Sequence, residues 1–505
     1  MATTQSIRPV VWSDWSGGIN TRDTYEFEHN QIGPDSSNVS IIEGGKAIRR
    51  RTMVSNTTLL PAAPAIPTLS GGIVVTGLWF TYAGGTSTYW LQIDNTLYRA
   101  SVSGGSWTST KVFSNTNSCD ITVFNGEVVI VQVNDGVFTW DGATLTNRST
   151  VATGATIAIW QNKVWVANGT RVWWSNAGDA HTWTTGTDFV DIREKDSNSV
   201  TKLLGVGSSL IAFKESSMYR FTDSTTGSYQ TIDWQHGAGY TSTQSVPYSQ
   251  QFTAVALPGS EVLTVNPDGV FRGTAFGSLR KISDHIPEID CQSGWPTAMT
   301  LYGTKVLIAV PDFGNLYDFF EYDVLHGYFL KHSIPVTAGT RPAVIGMTVY
   351  SPVGAGIDEI HGLTADSTPT HYRLRLSNLF TELDPGSAGI ADPGCTRTVA
   401  SFDARFVQPN NGLMTRVKSF YVRAVPFASS TNIPTYGISF FNDIGGEVVH
   451  QFTPLSTATF QRIIQRFNPY IGAREVGFSV FDSSTSAPTS WTIYDIKMEF
   501  LSIEA

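Results

Sequence analysis

Three observations predict an all-β chain of stacked sheets. Charged residues make up 15% of the 505 positions while hydrophobic residues reach 41%, against about 25% charged in ordinary soluble domains. Short apolar runs rich in β-branched and aromatic residues, bounded by Gly, Asn or Asp, return from Trp90 to Leu363, which is how strands of a repeat read. The 46 Gly and 23 Pro supply the turns between them. A disordered chain, a coiled coil and a helical bundle are excluded, because all three need polar runs or charged helix formers. At about 150 residues per domain the length allows roughly three domains, or fewer large all-β ones. The first apolar residues of the runs (Leu91, Val128, Val164, Leu210, Val262, Val306) are separated by 37, 36, 46, 52 and 44 positions. Such steps bracket the about 40–50 residues of a four-stranded propeller blade. The predicted fold is a six- or seven-bladed β-propeller over residues 70–380, preceded by a turn-rich N-terminal arm (1–69) and followed by a linker (381–395) and a C-terminal β-sandwich (396–505).

The arm, with Trp12, Trp15 and Gly17-Gly18, reads as a segment packed on the outside of something larger. The blades are marked by Trp90–Ile93, Val128–Val131, Val164–Val166, Leu210–Phe213, Val262–Val265 and Val306–Ala309, with Ile360–Leu363 a weaker seventh. Tight hairpin turns precede most of them: Phe124-Asn125-Gly126-Glu127, Trp160-Gln161-Asn162-Lys163, Leu257-Pro258-Gly259-Ser260 and Tyr302-Gly303-Thr304-Lys305. Asp-Gly-Val-Phe occurs at 135–138 and again at 268–271, 133 residues apart, or three repeats of about 44. One blade hides a sheet face only against the next, so a ring closes a core that no single unit can close. Residues 381–395, with two Pro-Gly turns and no periodicity, mark the linker. Beyond it come strands Thr398–Val407, Val417–Val425, Ile438–Phe441, Glu475–Phe481 and Trp491–Leu501, with a hairpin turn at Asp443-Ile444-Gly445-Gly446. In the last strand Tyr494, Ile496, Met498 and Phe500 alternate with Asp495, Lys497 and Glu499, the pattern of a sheet with one wet face. Ser456–Phe467 also fits a short helix, with Phe460, Ile463, Ile464 and Phe467 on one face.

The net charge is −9, from 33 Lys+Arg against 42 Asp+Glu. It leaves no basic footprint for nucleic acid or an anionic membrane. Arg49-Arg50-Arg51 is the one basic run, and a solvated strand end explains it more simply than a phosphate site. Cys119, Cys291 and Cys395 are odd in number and outside metal spacing, so neither a disulfide framework nor a zinc site is expected. The N-terminus lacks a basic segment followed by an apolar one, and no run of 18 apolar residues occurs, so neither a usual secretory signal nor a membrane segment is expected.

The densest acidic string is Asp318-Phe319-Phe320-Glu321-Tyr322-Asp323-Val324-Leu325-His326. On a strand, Glu321 and Asp323 share a face about 6–7 Å apart, within the range that glycoside hydrolysis needs of its carboxylate pair. The simpler reading places them on an outer strand and turn facing water. No nucleophile elbow, phosphate loop or zinc-protease string is present: Gly205-Val206-Gly207-Ser208-Ser209 is a turn before a strand, and Gly44-Gly45-Lys46-Ala47 lacks the phosphate-loop spacing. The nine histidines (His29, His181, His236, His285, His326, His332, His361, His371 and His450) are scattered and read as hydrogen-bonded structural residues. Trp165, Trp173, Trp174 and Trp183 fall in one blade and suit either sugar stacking or, more simply, packing between blades. The sequence therefore assigns no catalytic, cofactor-binding or metal-binding residue, and no cofactor.

Several strings in order resemble tailed-phage structural propellers. They are Trp15-Ser16-Gly17-Gly18-Ile19-Asn20, then Gly33-Pro34-Asp35-Ser36-Ser37-Asn38-Val39, then Gly44–Arg51, and further on Arg171-Val172-Trp173-Trp174-Ser175-Asn176 with Ala180–Trp183. Lys202–Gly207, Leu210–Phe213 and Ser216–Phe221 are similar to a blade of the tail nozzle (hub, or tail-stabilisation) proteins of short-tailed phages. The resemblance implies a structural virion protein in the phage tail, synthesised in the host cytoplasm. It would form a homo-oligomeric, hexameric ring that continues the DNA channel below the head-to-tail adaptor and docks tail fibre or spike proteins. Viral DNA would pass through without sequence-specific binding, and six copies at −9 each would give the ring −54, an acidic lumen in which DNA slides. The triple arginine is richer than the usual single one of that pattern and leaves room for an inter-subunit salt bridge. Two alternatives stand beside this reading: a propeller glycosidase or lyase acting on host surface polysaccharide, and a minor tail or baseplate protein of a long-tailed phage.

Overall fold

The computed structural model describes residues 10–12, 15–19, 31–32, 39–42, 46–49, 54–55, 75–101, 107–117, 119–193, 197–214, 217–232, 254–266, 269–277, 279–286, 298–311, 317–333, 344–350, 359–364, 371–375, 401–407, 415–428, 436–442, 447–452, 461–465, 472–473, 476–482 and 489–502. The linker 381–395, the turn Asp443–Gly446, Arg50, Arg51, Cys291 and Cys395 lie outside them. Among the described residues every regular element is a strand, and seven four-stranded antiparallel sheets follow one another. They are blades 1 (75–112), 2 (119–149), 3 (156–191), 4 (200–232), 5 (254–281), 6 (298–333) and 7 (344–375). Blades 1 to 6 are laid down in chain order, and the first strands adjoin in sequence until Val344–Tyr350 of blade 7 meets Val75–Ala83 of blade 1. Phe80 N donates to Thr348 Oγ1 at 3.1 Å across that closure. The outer strand of blade 7 comes from the N-terminal segment: Val54 and Ser55 pair with Arg373 and Tyr372. The chain is thus a β-propeller, closed by its own beginning.

The strands legible as continuous apolar runs are in every case the second of a blade, where both faces are covered by neighbouring blades. In Glu127–Gln132, Val128 and Ile130 pack with Trp90 and Trp140 toward blade 1, while Val129 and Val131 pack with Val164, Val166 and Trp173 toward blade 3. The same alternation builds the cores between blades 3 and 4 and between blades 4 and 5. Burial of this kind contributes about 25 cal/mol per Å² of apolar surface removed from water. The two-residue turns Asn125-Gly126 and Gln161-Asn162 join first to second strands with φ of 51° and 81°, and 45° and 57°, matching the twist of a tight hairpin. The turn at Pro258-Gly259-Ser260 is one residue longer than the four-residue reading, because Leu257 pairs with Glu261. The two Asp-Gly-Val-Phe strings fall at equivalent places, with Gly136 and Gly269 opening the third strands of blades 2 and 5.

Two compact units divide the chain: 54–317 with 339–376, and 1–53 with 318–338 and 377–505. In the second, one seven-stranded sheet runs Gln461–Gln465, Thr415–Ala428, Thr489–Ser502, Lys46–Arg49, Val39–Ile42, with Val10–Trp12 added to Thr489–Ser502 and Gly472–Ala473 to Thr415–Ala428. A four-stranded sheet orders Ser401–Val407, Val476–Asp482, Tyr436–Asn442, Glu447–Phe452. Three strands of the N-terminal segment, Val10–Trp12, Val39–Ile42 and Lys46–Arg49, are therefore integral to the larger sheet. The helix alternative over 456–467 is overturned: Gln461–Gln465 is a strand paired with Phe420–Ala424, since the ladder satisfies its backbone and the central Ile463-Ile464 favours extended structure. The alternation in the last strand is present, with Ile496, Met498 and Phe500 buried. Its polar face is half-covered by a ladder in which Glu499 accepts from Ser419 Oγ (2.7 Å), Lys497 Nζ (2.8 Å) and Tyr421 OH (3.4 Å).

Candidate functional site

The acidic string 318–326 is corrected by its position. Tyr317–Asp323 is the third strand of its sheet rather than the outer one, and Glu321 and Asp323 are 0% and 4% exposed instead of facing water. Asp323 Oδ1 accepts from Leu325 N (3.0 Å), His326 N (2.9 Å) and His326 Nδ1 (3.0 Å), which fixes the turn into the fourth strand. This is one instance of a repeat. Between third and fourth strands, Asp141 accepts from Ala143 N and Thr144 N, Asp179 from His181 N and Thr182 Oγ1, and Asp223 from Thr225 N and Thr226 Oγ1. An aspartate two or three residues before the group it caps closes a turn locally. These bonds hold the carboxyls of Asp141, Asp179 and Asp223 below the usual carboxylate range.

The richest titratable cluster among the described side chains lies at the seam of blades 2 and 3. His181 Nε2 is 2.5 Å from Glu127 Oε2 and 3.3 Å from Arg148 Nη2, and Asp179 Oδ1 lies 4.0 Å from its Nδ1. Glu127 opens the second strand of blade 2, Arg148 lies in its fourth, and Asp179 and His181 sit in the turn of blade 3. The two carboxylates approach opposite ring nitrogens, so the three groups share no coordination position for a metal ion. Among the described residues the imidazole is met by Glu127 and Arg148, and by no hydroxyl or thiol. What it does is clasp two blades. Asn125 Nδ2 donating to Gly178 O (2.8 Å) extends the clasp, and Gly178 N donating to Asn162 O (2.6 Å) ties that loop to its own blade. Lys163, which opens the second strand of blade 3 as Glu127 opens that of blade 2, reaches Ser224 O of blade 4 at 2.7 Å.

A second set of residues was invisible as a site in the sequence. Gln92, Gln132, Asn168 and Lys214 stand at or next to the ends of successive second strands and bind the loops between blades. Gln92 Nε2 donates to Asn117 O, Gln132 Nε2 to Asn115 Oδ1, Asn168 Nδ2 to Thr153 Oγ1 and Lys214 Nζ to Ile192 O. Three of them, Gln92, Gln132 and Lys214, are fully buried. The only sequence signal was a polar residue ending each apolar run.

Tryptophan packing follows the simpler expectation. Trp165, Trp173 and Trp174 are 0%, 7% and 3% exposed, with Trp173 in the core of blades 2 and 3 and Trp174 in that of blades 3 and 4. Arg171 grips Asp191 through two bonds of 2.7 and 2.8 Å, and Ser175 Oγ accepts from Val164 N at 3.0 Å, so both residues hold blade 3 together. Cys119 is buried, which pushes its thiol well up.

Fold and site together define a seven-bladed β-propeller whose clustered polar side chains bind blade to blade. No family model matches the chain, and no curated relative does. Among solved structures it is similar to BamB from Moraxella catarrhalis (13% identity, TM-score 0.40, covering 66% of this chain and 99% of that one). It is also similar to BBS1N in complex with ARL6DN (10%, 0.42, 64% and 97%) and to the N-terminal domain of Nup159 (11%, 0.39, 68% and 98%). These likenesses concern the fold alone, and the propeller assignment stands on the sheet order.

Proposed function

We propose that this chain is a structural component of a phage tail, a nozzle or hub subunit of a short-tailed phage that assembles as a hexameric ring, continues the DNA channel and docks neighbouring tail proteins. In this reading its C-terminal sheets pack as a sandwich, and the protein catalyses no reaction. The observation that carries the proposal is the seam of blades 2 and 3, where Glu127, Arg148, Asp179 and His181 are committed to holding blades together. The N-terminal strings that resemble phage propellers agree with it, because Lys46–Arg49 lies in them, Val39–Ile42 begins at the end of one, and both are strands of the larger sheet. Negative-stain imaging and sedimentation of the purified chain are expected to give a sixfold ring, with no sugar released from capsule or lipopolysaccharide. A monomer that releases sugar, and loses that turnover in Glu321→Gln, would instead establish the polysaccharide-degrading reading.

A further inference from the structure

The innermost strands carry a series of side-chain-to-backbone bonds that run from one blade to the next. Thr348 Oγ1 of blade 7 accepts from Phe80 N of blade 1 (3.1 Å), Asp120 Oδ2 of blade 2 from Ile157 N of blade 3 (3.1 Å), and Thr156 Oγ1 of blade 3 from Leu203 N of blade 4 (3.0 Å). Phe80, Ile157 and Leu203 each stand three residues before the end of their strand. A first strand has no partner on its axial edge, so its N–H groups there need acceptors from elsewhere.

Asp120 does more than the threonines. Its Oδ1 accepts from Ile121 N of its own strand at 2.9 Å, and its Oδ2 also receives Lys202 Nζ of blade 4 at 3.4 Å. One carboxylate, 4% exposed, therefore touches three consecutive blades, and the lysine that meets it is 9% exposed. Lys202 occupies in blade 4 the place held by Asp120 in blade 2 and Thr156 in blade 3, four residues before the strand ends. As a donor it cannot cap the following blade, and it turns back past blade 3. Repeats in an array ordinarily couple only to their neighbours; this ion pair couples second neighbours.

We infer that Asp120 is a positioning residue that joins blades 2, 3 and 4 into one cooperative unit, with Lys202 as the arm that brings in blade 4. The inference is independent of the phage reading. It is tested by hydrogen exchange resolved to single amides on the full chain. In the wild type, Ile121, Ile157 and Leu203 are expected to exchange with a common opening free energy. Asp120→Asn keeps one acceptor oxygen and sets an amide donor against either Ile121 N–H or the Ile157 N–H and Lys202 ammonium, and is expected to speed exchange at one of Ile121 and Ile157 by roughly tenfold or more, since a buried donor loses its acceptor. Lys202→Met leaves both N–H bonds to Asp120, and is expected to release blade 4 amides from the common opening while Ile157 stays slow. Thr156→Val removes only the cap on Leu203 and should accelerate Leu203 without Ile157. The inference is overturned if folded Asp120→Asn leaves both Ile121 and Ile157 within twofold of wild type. If that variant does not fold, Lys202→Met decides alone: blade 4 amides that still open together with those of blade 2 overturn the inference.

Discussion

Gly136 tests whether the repeated Asp-Gly-Val-Phe string is a backbone requirement. It opens the third strand of blade 2 with φ of +102°, a region in which a side chain is strained. A Cβ placed there overlaps the carbonyl oxygen of Ser149 and lies 2.9 Å from its carbon and 3.1 Å from Thr150 Cα. These are backbone atoms, so the fourth strand of the blade must move. Gly126, in the Asn125-Gly126 turn, has φ of +81° but nothing within 4 Å of an added Cβ, so Gly126→Ala isolates the conformational term, about 1 kcal/mol. Gly136→Ala adds to about 1–3 kcal/mol of backbone strain the loss of one or two ladder bonds at about 1 kcal/mol each. The sum is about 2–5 kcal/mol, and at about 2–4 °C per kcal/mol for a large unit it lowers the unfolding midpoint by roughly 4–20 °C. Thermal unfolding followed by near-ultraviolet circular dichroism measures it, with exchange of the Leu145–Ser149 amides locating the damage. Equal midpoint shifts in the two variants would refute the reasoning, because the contact with Ser149 would then contribute nothing.

Three further outcomes are expected. Trp165 is fully buried, with ring centroids 4.9–5.3 Å from Trp174, Phe221 and Trp160; Trp165→Ala should cost about 3–5 kcal/mol in denaturant unfolding, whereas half-buried Trp183→Ala should cost about 1 kcal/mol or less. The turn carboxyls of Asp141, Asp179 and Asp223 are lowered by hydrogen bonds, first from Thr144 N, Thr182 Oγ1 and Thr225 N respectively. Their contribution is full above the unfolded value of about 3.9 and is lost as pH falls through the lower folded values. The urea midpoint should therefore fall below about pH 4, and the combined Asp141→Asn, Asp179→Asn, Asp223→Asn variant should flatten that fall. Arg171→Lys breaks the two-pronged grip on Asp191, and because that pair is partly exposed it should cost at most about 1 kcal/mol, seen as faster exchange over Phe189–Asp191.

The second strands were legible because their environment is simple. Flanked by a blade on each face, they can only be apolar throughout, so Val128–Val131 and Leu210–Phe213 declare themselves in a short window. The Asn125-Gly126 turn was legible for an equally local reason, its positive φ angles. The polar network was not. His181 is 54 residues from Glu127, Lys202 is 82 from Asp120, and Lys214 is 22 from Ile192, so nothing near any of them in sequence names the partner. The acidic string was misread for the converse reason: three carboxylates close in sequence read as an outer strand facing water, while the strand places Glu321 in the interior and gives Asp323 to its own turn.

By itself the sequence determined that this protein is an all-β repeat, where most blades begin and which turns are tight, because those properties follow from φ preferences and from which faces of a strand are dry. Only the tertiary structure decided that the blades among the described residues number seven, that Val54 and Ser55 complete the last of them, and that Lys46–Arg49 and Val39–Ile42 belong to a sheet with Thr489–Ser502. Those choices pair residues hundreds of positions apart through backbone hydrogen bonds that any sequence of β-forming residues can make. Burial of the surrounding side chains selects among them, and it exists only once the ring has closed.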